Sequence, residues 1–383
     1  MSNREPYFED IPDRRDTNSL KWGKYSGRDV IPLWVADMDF KSPPGVIERA
    51  AEEADFGNFG YAKCPAGLVE VIIERCKDLY GWEIESSWIV WLPGMVCALN
   101  VSCRVFEKES SQVFTQTPVY PPFLSAPGNF DLPCTRIPMV LDQGRFGIDF
   151  DALEALPSNP SDLFMLCHPH NPVGSAFTKE ELAKFAEWAC RKDLYVCSDE
   201  IHCDLLLEPG LRHTPLASLG AQVAERSITL MAPSKTYNLP GFGCSYAIIS
   251  NGKLRSRFKK AMAGIVPDPP AMGFALAESA YRTGEPWRVE LIDYLRGNRD
   301  FALDELSKIN GLAPYSPQAT YLLWMDARSL PVENPHGFFE NSGVGLSDGK
   351  DFGAPGFLRL NLGCSRQLLA EALERMVSAC KDL

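Results

Sequence analysis

Apolar residues recur along this chain with two different periods, and the period changes from one stretch to the next. From Pro44 to about Leu79 they return at helical spacing on either side of the run GNFGYAKCPAG, whose glycines and proline predict a loop between two helices. The stretch LPGMVCALNVSCRVF then reads as an apolar helix introduced by glycine. Short apolar runs follow in QVFTQ, CTRIPMV, DLFMLCH, LYVCSDE, SITLMAPS and SYAIIS, rich in β-branched and aromatic residues and therefore strand-like. Between DLFMLCH and LYVCSDE lies TKEELAKFAEWACRKD, a helix with Thr178 as N-cap, Glu181 at the capping-box position and Arg191 and Lys192 near its end.

Strands alternating with helices predict a doubly wound, mostly parallel sheet covered by helices. After about residue 265 the pattern changes to a long helical region through LIDYLRGNRDFALDELSKI, strands TYLLWMD and FLRLNLG, and a closing helix SRQLLAEALERMVSACKD capped by Ser365. That is the signature of a smaller α+β domain. The first forty residues, rich in Pro, Asp and Arg and ending in IPLWVADMDF, read as an irregular arm. The predicted organisation is an arm over 1–45 that joins the small domain, a large domain over 46–280 and a small domain over 281–383.

Composition narrows the class without changing that picture. The chain has 383 residues, 45% hydrophobic and 23% charged, which is ordinary for a globular protein and excludes a disordered, collagenous or coiled-coil chain. No apolar run is long enough to span a membrane. The net charge of −12 argues against nucleic acid or an anionic membrane as the main partner. The N-terminus carries charges of both signs and no apolar core, so a secretory signal is not expected and the cytoplasm is. Twelve cysteines are few for this length and none form C-x-x-C, so they read as small hydrophobes in a reducing compartment.

In an open α/β sheet, ligands collect beyond the carboxyl ends of the strands. Just past those ends the sequence places Tyr120, Asn171, Asp199 and the pair Ser234–Lys235. Singly these are common loop residues. Together they offer a lysine able to form an imine, a carboxylate able to keep a ring nitrogen protonated, an amide for a phenolic oxygen and an aromatic face, which are the needs of pyridoxal 5′-phosphate. A phosphate would suit the Gly94–Met95–Val96 turn, where a helix begins with unpaired backbone N–H groups and a positive dipole end. His168 and His170 flank Pro169, but no third ligand stands at metal-binding spacing, so no metal is expected.

Three motifs then stand out: Asn171-Pro172-Val173-Gly174, Ser198-Asp199-Glu200-Ile201-His202, and PSKTYNLPG from Pro233 to Gly241, with 28 residues from Asn171 to Asp199 and 36 from Asp199 to Lys235. They resemble the fold-type I aminotransferases of class I/II. WVADMDF from Trp34 to Phe40, the GYA around Tyr61, and FLRLNL with Cys364 resemble the cystathionine β-lyase branch, the MalY/PatB-type carbon–sulfur lyases. The resemblance runs from about Thr17 to the closing helix. It implies the pyridoxal-phosphate-dependent transferase fold, with a mostly parallel seven-stranded sheet, and a homodimer whose sites are shared between subunits. It also implies that Lys235 carries the cofactor, Asp199 faces the pyridine nitrogen, Asn171 the ring oxygen and Tyr120 the ring, with His202 nearby. Gly94, Met95, Val96 and Ser234 would hold the phosphate, joined by Tyr61 from the partner subunit, which would also act on the departing thiolate as a catalytic residue with Lys235 and Asp199. Ala36 and Arg359 would meet the substrate, the latter clamping its carboxylate.

Two positions depart from the family pattern: Ala232 stands where many relatives have serine, and Gly243 where many aminotransferases have arginine. His202 replaces a common tyrosine, and either tunes the cofactor bond or serves only in packing. His213 and His336 read as loop residues without a role. The activity implied is α,β-elimination on an L-cysteine thioether, giving thiol, pyruvate and ammonia. An L-amino-acid aminotransferase using the same residues is the alternative, and a regulatory protein that contacts a transcription factor is a second.

Overall fold

Six of the strand-like runs assemble with one further strand into a seven-stranded sheet. The computed structural model describes residues 7–108, 112–381 and 383. Across the sheet the order is Ile89–Leu92, Ser245–Ile248, Ser227–Met231, Tyr195–Asp199, Leu163–Cys167, Val113–Thr117 and Cys134–Pro138. Ser245–Ile248 pairs antiparallel with both neighbours, and the pairs from Ser227–Met231 to Cys134–Pro138 are parallel. The strand not read from the residues is Ile89–Leu92, IVWL, too short and too uniformly apolar to show a period.

Both faces of this sheet are buried, so its strands carry apolar residues at odd and even positions alike. Leu163, Met165 and Cys167 pack on one side with Leu99 and Phe106. Phe164 and Leu166 pack on the other with Phe185 and Trp188 of the helix Lys179–Arg191. That helix begins as its sequence dictates: the Thr178 hydroxyl accepts from the Glu181 N–H at 3.1 Å, and Glu181 accepts from the Thr178 N–H at 2.7 Å. The predicted glycine-led helix is Met95–Phe106, with Gly94 at its cap. GNFGYAKCPAG links helices Pro44–Phe56 and Ala66–Tyr80, the first ended by Gly57 at φ 68°.

Toward the C-terminus, Glu285–Leu306 forms a long helix. Beside it lies an antiparallel sheet in the order Ala313–Tyr315, Leu322–Asp326, Phe357–Asn361, Ser347–Asp348. The chain closes with the helix Arg366–Ala379, capped by Ser365. Asp382, at the end of the predicted helix stretch, lies outside the described residues, as do residues 1–6 of the predicted arm.

The arm is more regular than its composition suggested. Leu20–Gly23 makes a helical turn, and Ile31–Pro32 pairs parallel with Val344–Gly345, tying the N-terminal segment to the C-terminal part of the chain. The correction has a simple cause: this strand is two residues long, so its partner and not its sequence defines it.

A buried charge cluster fastens the segment that follows. Asp39 accepts from Lys21 Nζ at 2.8 Å, from Trp22 Nε1 at 3.0 Å and from Arg14 at 3.1 Å. Both Lys21 and Asp39 are essentially inaccessible, at 0% and 1%. Removing one member of such a pair strands the other charge out of water. Asp39→Ala should therefore lower unfolding stability by about 3–5 kcal/mol, and the double variant with Lys21→Met should recover much of that loss. Chemical denaturation of the variants checks this, and a cost under about 1 kcal/mol, the range of exposed pairs, would show that the cluster does not fasten the arm.

Candidate active site

Four of the parallel strands deliver their following residues to one edge of the sheet. Asp199 is the last residue of Tyr195–Asp199, and Tyr120, Asn171 and Lys235 follow their strands closely. All four line one cavity of about 500 Å³, whose wall also includes Ala36, Met95, His202 and Arg359. Of the remaining sequence-predicted residues, Gly94 and Ser234 are partly buried outside that lining, and Val96 is exposed. Tyr61 is fully exposed, so within a single chain it does not reach the cavity.

The cavity roof is the arm segment Trp34–Phe40, whose carbonyls point to side chains from elsewhere in the fold. The Ala36 carbonyl accepts from Lys235 Nζ at 2.6 Å and from the Tyr321 hydroxyl at 3.1 Å. The Trp34 carbonyl accepts from Arg359 at 2.8 Å, the Val35 and Asp37 carbonyls from Asn361 at 2.7 and 2.9 Å, and the Met38 and Phe40 carbonyls from Asn238 at 3.0 and 2.8 Å. A segment with no ladder of its own thus has its carbonyls satisfied by side chains.

Arg359 sits on the strand Phe357–Asn361 with its guanidinium beneath the arm. It also donates to Asn171 Oδ1 at 2.9 Å and Ser347 Oγ at 3.2 Å, and lies 4.6 Å from the Phe352 ring centre. Its Nε has no partner among the described residues. Because Asn171 Oδ1 is engaged by Arg359, the amide NH2 is what Asn171 has left to donate.

Burial sets the charges here. It lowers Lys235 to about 8, the field of Arg359 acting the same way against Asp37 and Asp199. It raises the Asp199 carboxyl to about 7, despite the Ile201 N–H bonded to Oδ1 at 3.1 Å. It lowers Arg359 to about 10, which leaves the guanidinium charged at neutral pH, and His202 to about 3, which leaves the imidazole neutral, with Nδ1 lacking a partner among the described residues. A part-buried amine poised near neutrality, a carboxyl awaiting a cation and a guanidinium with Nε unengaged are chemically incomplete without a ligand.

The residues present fit pyridoxal phosphate. At the sheet edge the helix Met95–Phe106 starts without a side-chain cap, leaving its first N–H groups for an anion. A Cβ built on Gly94 meets no atom within 4 Å, so space lies open there. Gly243 has φ +57°, and a side chain there would meet the Pro93 carbonyl oxygen at 2.8 Å. An arginine at this position would displace the turn that opens the helix, which accounts physically for that departure. Ala232 is buried, so it offers a methyl group and no hydroxyl.

Several participants escaped the sequence. Tyr321 precedes a strand that was recognised, yet nothing in TYLLWMD singles it out. The carbonyls of Trp34 and Ala36 have no side-chain signature at all. His213, assigned no role from its polar surroundings in sequence, is buried and stands 2.6 Å from Glu200. His170 places Nδ1 3.2 Å from the Cys167 carbonyl and Nε2 2.7 Å from the Pro118 carbonyl.

Residues 28–376 match the family described as aminotransferase class I and II. The chain is 34% identical over 391 residues to cystathionine β-lyase PatB of Bacillus subtilis (strain 168), covering 97% of this chain and 99% of that protein. Among solved structures, it is similar to a crystal structure of OvoB, at 44% identity and a TM-score of 0.95, covering 98% of this chain and 99% of that one. It is likewise similar to cystalysin from Treponema denticola, which contains a pyridoxal 5′-phosphate cofactor, at 32% identity and a TM-score of 0.92, covering 99% of this chain and 100% of that one.

Only a neutral amine attacks an electrophile, and an amine is neutral above its pKa. In cofactor-free protein, Lys235 should therefore react with a small uncharged amine reagent at a rate that rises through pH 8 and levels off above it, whereas surface lysines keep rising toward 10.5. Peptide mapping of the labelled protein measures this, and a Lys235 profile coinciding with the surface lysines would refute the depressed value.

Proposed function

This chain belongs to the aminotransferase class I and II family, and on that premise we propose that it is a pyridoxal-phosphate-dependent carbon–sulfur β-lyase. It cleaves L-cysteine thioethers of the cystathionine kind to thiol, pyruvate and ammonia. The carrying observation is that Lys235, Asp199, Asn171, Tyr120 and Arg359 line one cavity in a chain whose relatives over nearly full length are named cystathionine β-lyases.

When bound, the cofactor supplies an aldehyde that captures amines and a ring that accepts the electron pair left at the substrate Cα. Lys235 would hold it through Nζ, and the same amine would be placed to take the proton from the substrate Cα. The value near 8 suits this, because an amine neutral close to working pH can act as a base. Asp199 faces the ring nitrogen and keeps its proton in place. A cation opposite a carboxylate favours the charged forms of both, which reverses the rise that burial alone imposes on Asp199. Asn171 would donate its NH2 to the ring oxygen, and Tyr120 would pack on the ring.

Arg359 binds the substrate carboxylate, exchanging the Trp34 carbonyl for a charged acceptor, and Ala36 closes the site above it. With the carboxylate fixed, the substrate Cα would be held within reach of Lys235. The N–H groups of Met95 and Val96, with Gly94 and Ser234 beside them, would hold the phosphate, and His202 would adjoin the ring as a neutral imidazole.

The working form is a homodimer. Phe59, Tyr61, Val96 and Phe242 are large apolar residues left exposed around the start of the cradle helix and the loop before Ala66, a surface that a second copy would cover. Tyr61 of one chain would then reach the other chain's phosphate. Within each chain, the arm and residues 281–383 make the small domain against the large domain of 46–280. All twelve cysteines are free thiols, which suits the cytoplasm.

Incubation with L-cystathionine should release pyruvate and a thiol in equal amounts without any keto-acid acceptor; turnover only with an acceptor would identify an aminotransferase. Arg359→Ala should weaken binding of the amino acid by at least about 1.5–3 kcal/mol, tenfold or more, with cofactor content unchanged. Lys235→Ala should lose the covalently held, borohydride-reducible cofactor seen by mass spectrometry of the wild type, and its retention would unseat the lysine assignment.

A further inference from the structure

Asp199 and Glu200 are consecutive carboxylic acids at the end of one strand, and both are buried. Asp199 faces the cavity, whereas Glu200 points to the opposite side, as alternation along a strand requires. There Glu200 Oε1 accepts from the Ser198 hydroxyl at 2.8 Å and the Leu216 N–H at 3.1 Å, and Oε2 stands 2.6 Å from His213 Nε2. The His213 ring stacks on His168, centroids 4.7 Å apart at 24°, and Tyr80 meets its edge at 5.4 Å. His168 in turn stacks on Phe177 and donates its backbone N–H to the Asp199 carbonyl at 2.9 Å. The pair is thereby tied to the strand that ends in Asp199, with His213 Nδ1 buried and without a partner among the described residues, and the reaction described above uses neither member.

We propose that His213 is the counter-charge of Glu200, and that the two are positioning residues which let Asp199 stand as a carboxylate before the cofactor's ring nitrogen. The reason is electrostatic. Two unpaired carboxylates side by side out of water cannot both stay ionised, and the one with fewer donors yields. Glu200 has two donors besides His213, and Asp199 only the Ile201 N–H. Without a cation at 213, Asp199 would be the acid to take up a proton, and a neutral acid cannot hold the ring nitrogen protonated. The field of Glu200 on Asp199 acts in that direction. The other charged or titratable groups facing His213 are Tyr80, Asp204 and His168. Asp204 is engaged by Arg75 at 2.8 Å and Tyr80 at 2.7 Å, and His168 lies well below its usual range through burial and its histidine neighbours, so none supplies the missing charge.

The inference rests on the reading of Asp199 given above, and the test separates the two. Cofactor-free protein is titrated with pyridoxal phosphate and with its 1-deaza analogue, in which a C–H replaces the ring nitrogen, and the ratio of affinities is the readout. In the wild type the ratio should favour pyridoxal phosphate. His213→Phe, which keeps a ring against His168, should lower it by roughly tenfold, the effect of one unit in proton affinity. Glu200→Gln should leave it at or above the wild-type value, and the double variant should return to that value. A wild-type ratio in His213→Phe, or equal losses in both single variants, overturns the proposal. A wild-type protein indifferent to the ring nitrogen overturns the Asp199 role itself. Should the phenylalanine variant fail to fold, nitrogen NMR of wild-type holoenzyme labelled in its five histidines decides: His213 should carry protons on both ring nitrogens, and a neutral ring overturns the proposal.

Discussion

Two cations at the cavity, the part-buried Lys235 and the buried Arg359, are held against the carbonyls of Ala36 and Trp34, and much of this protein's construction serves that contact. A cation can stand out of water only where acceptors replace its hydration. Carboxylates would do so strongly and would leave nothing for a ligand. Carbonyl oxygens are partial charges, enough to keep both groups ordered and weak enough to be exchanged for a phosphate-bearing cofactor and a substrate carboxylate. The segment Trp34–Phe40 can play this part because it belongs to no strand and its backbone has no ladder to satisfy.

The fastening of the arm follows from the same need. Asp39 draws together Lys21, Trp22 and Arg14, while Asn361 and Asn238 each bind two arm carbonyls. Asn361 lies two residues beyond Arg359 and Asn238 three beyond Lys235, so each cation's own element also grips the segment that covers it. Arm, large sheet and small sheet meet at one place, and the cavity is the space left between them.

Much of this was legible in the chain. Both sheet faces are covered, so strand runs are densely apolar and stand out against polar loops, and the capping box at Thr178 and the glycine at Gly94 announce helices directly. The site residues could be found because parallel strands bring their carboxyl ends to one edge, so the place of Tyr120, Asn171, Asp199 and Lys235 follows from strand order alone. Legibility failed where meaning depends on a distant partner. Ile31–Pro32 becomes a strand only beside Val344–Gly345, and His213 becomes a partner of Glu200 only because the loop folds it there.

By itself, then, the sequence determined the elements, the edge on which chemistry collects and the kinds of group found there, since propensity, capping and strand-end position are local properties. Tertiary structure alone decided how those groups are charged and what holds them. The depressed amine of Lys235, the raised carboxyl of Asp199 and the carbonyl roof of Trp34 and Ala36 arise from burial and from contacts between residues as much as 325 apart. Desolvation and hydrogen bonding act through space, and the order of residues along a chain does not record them.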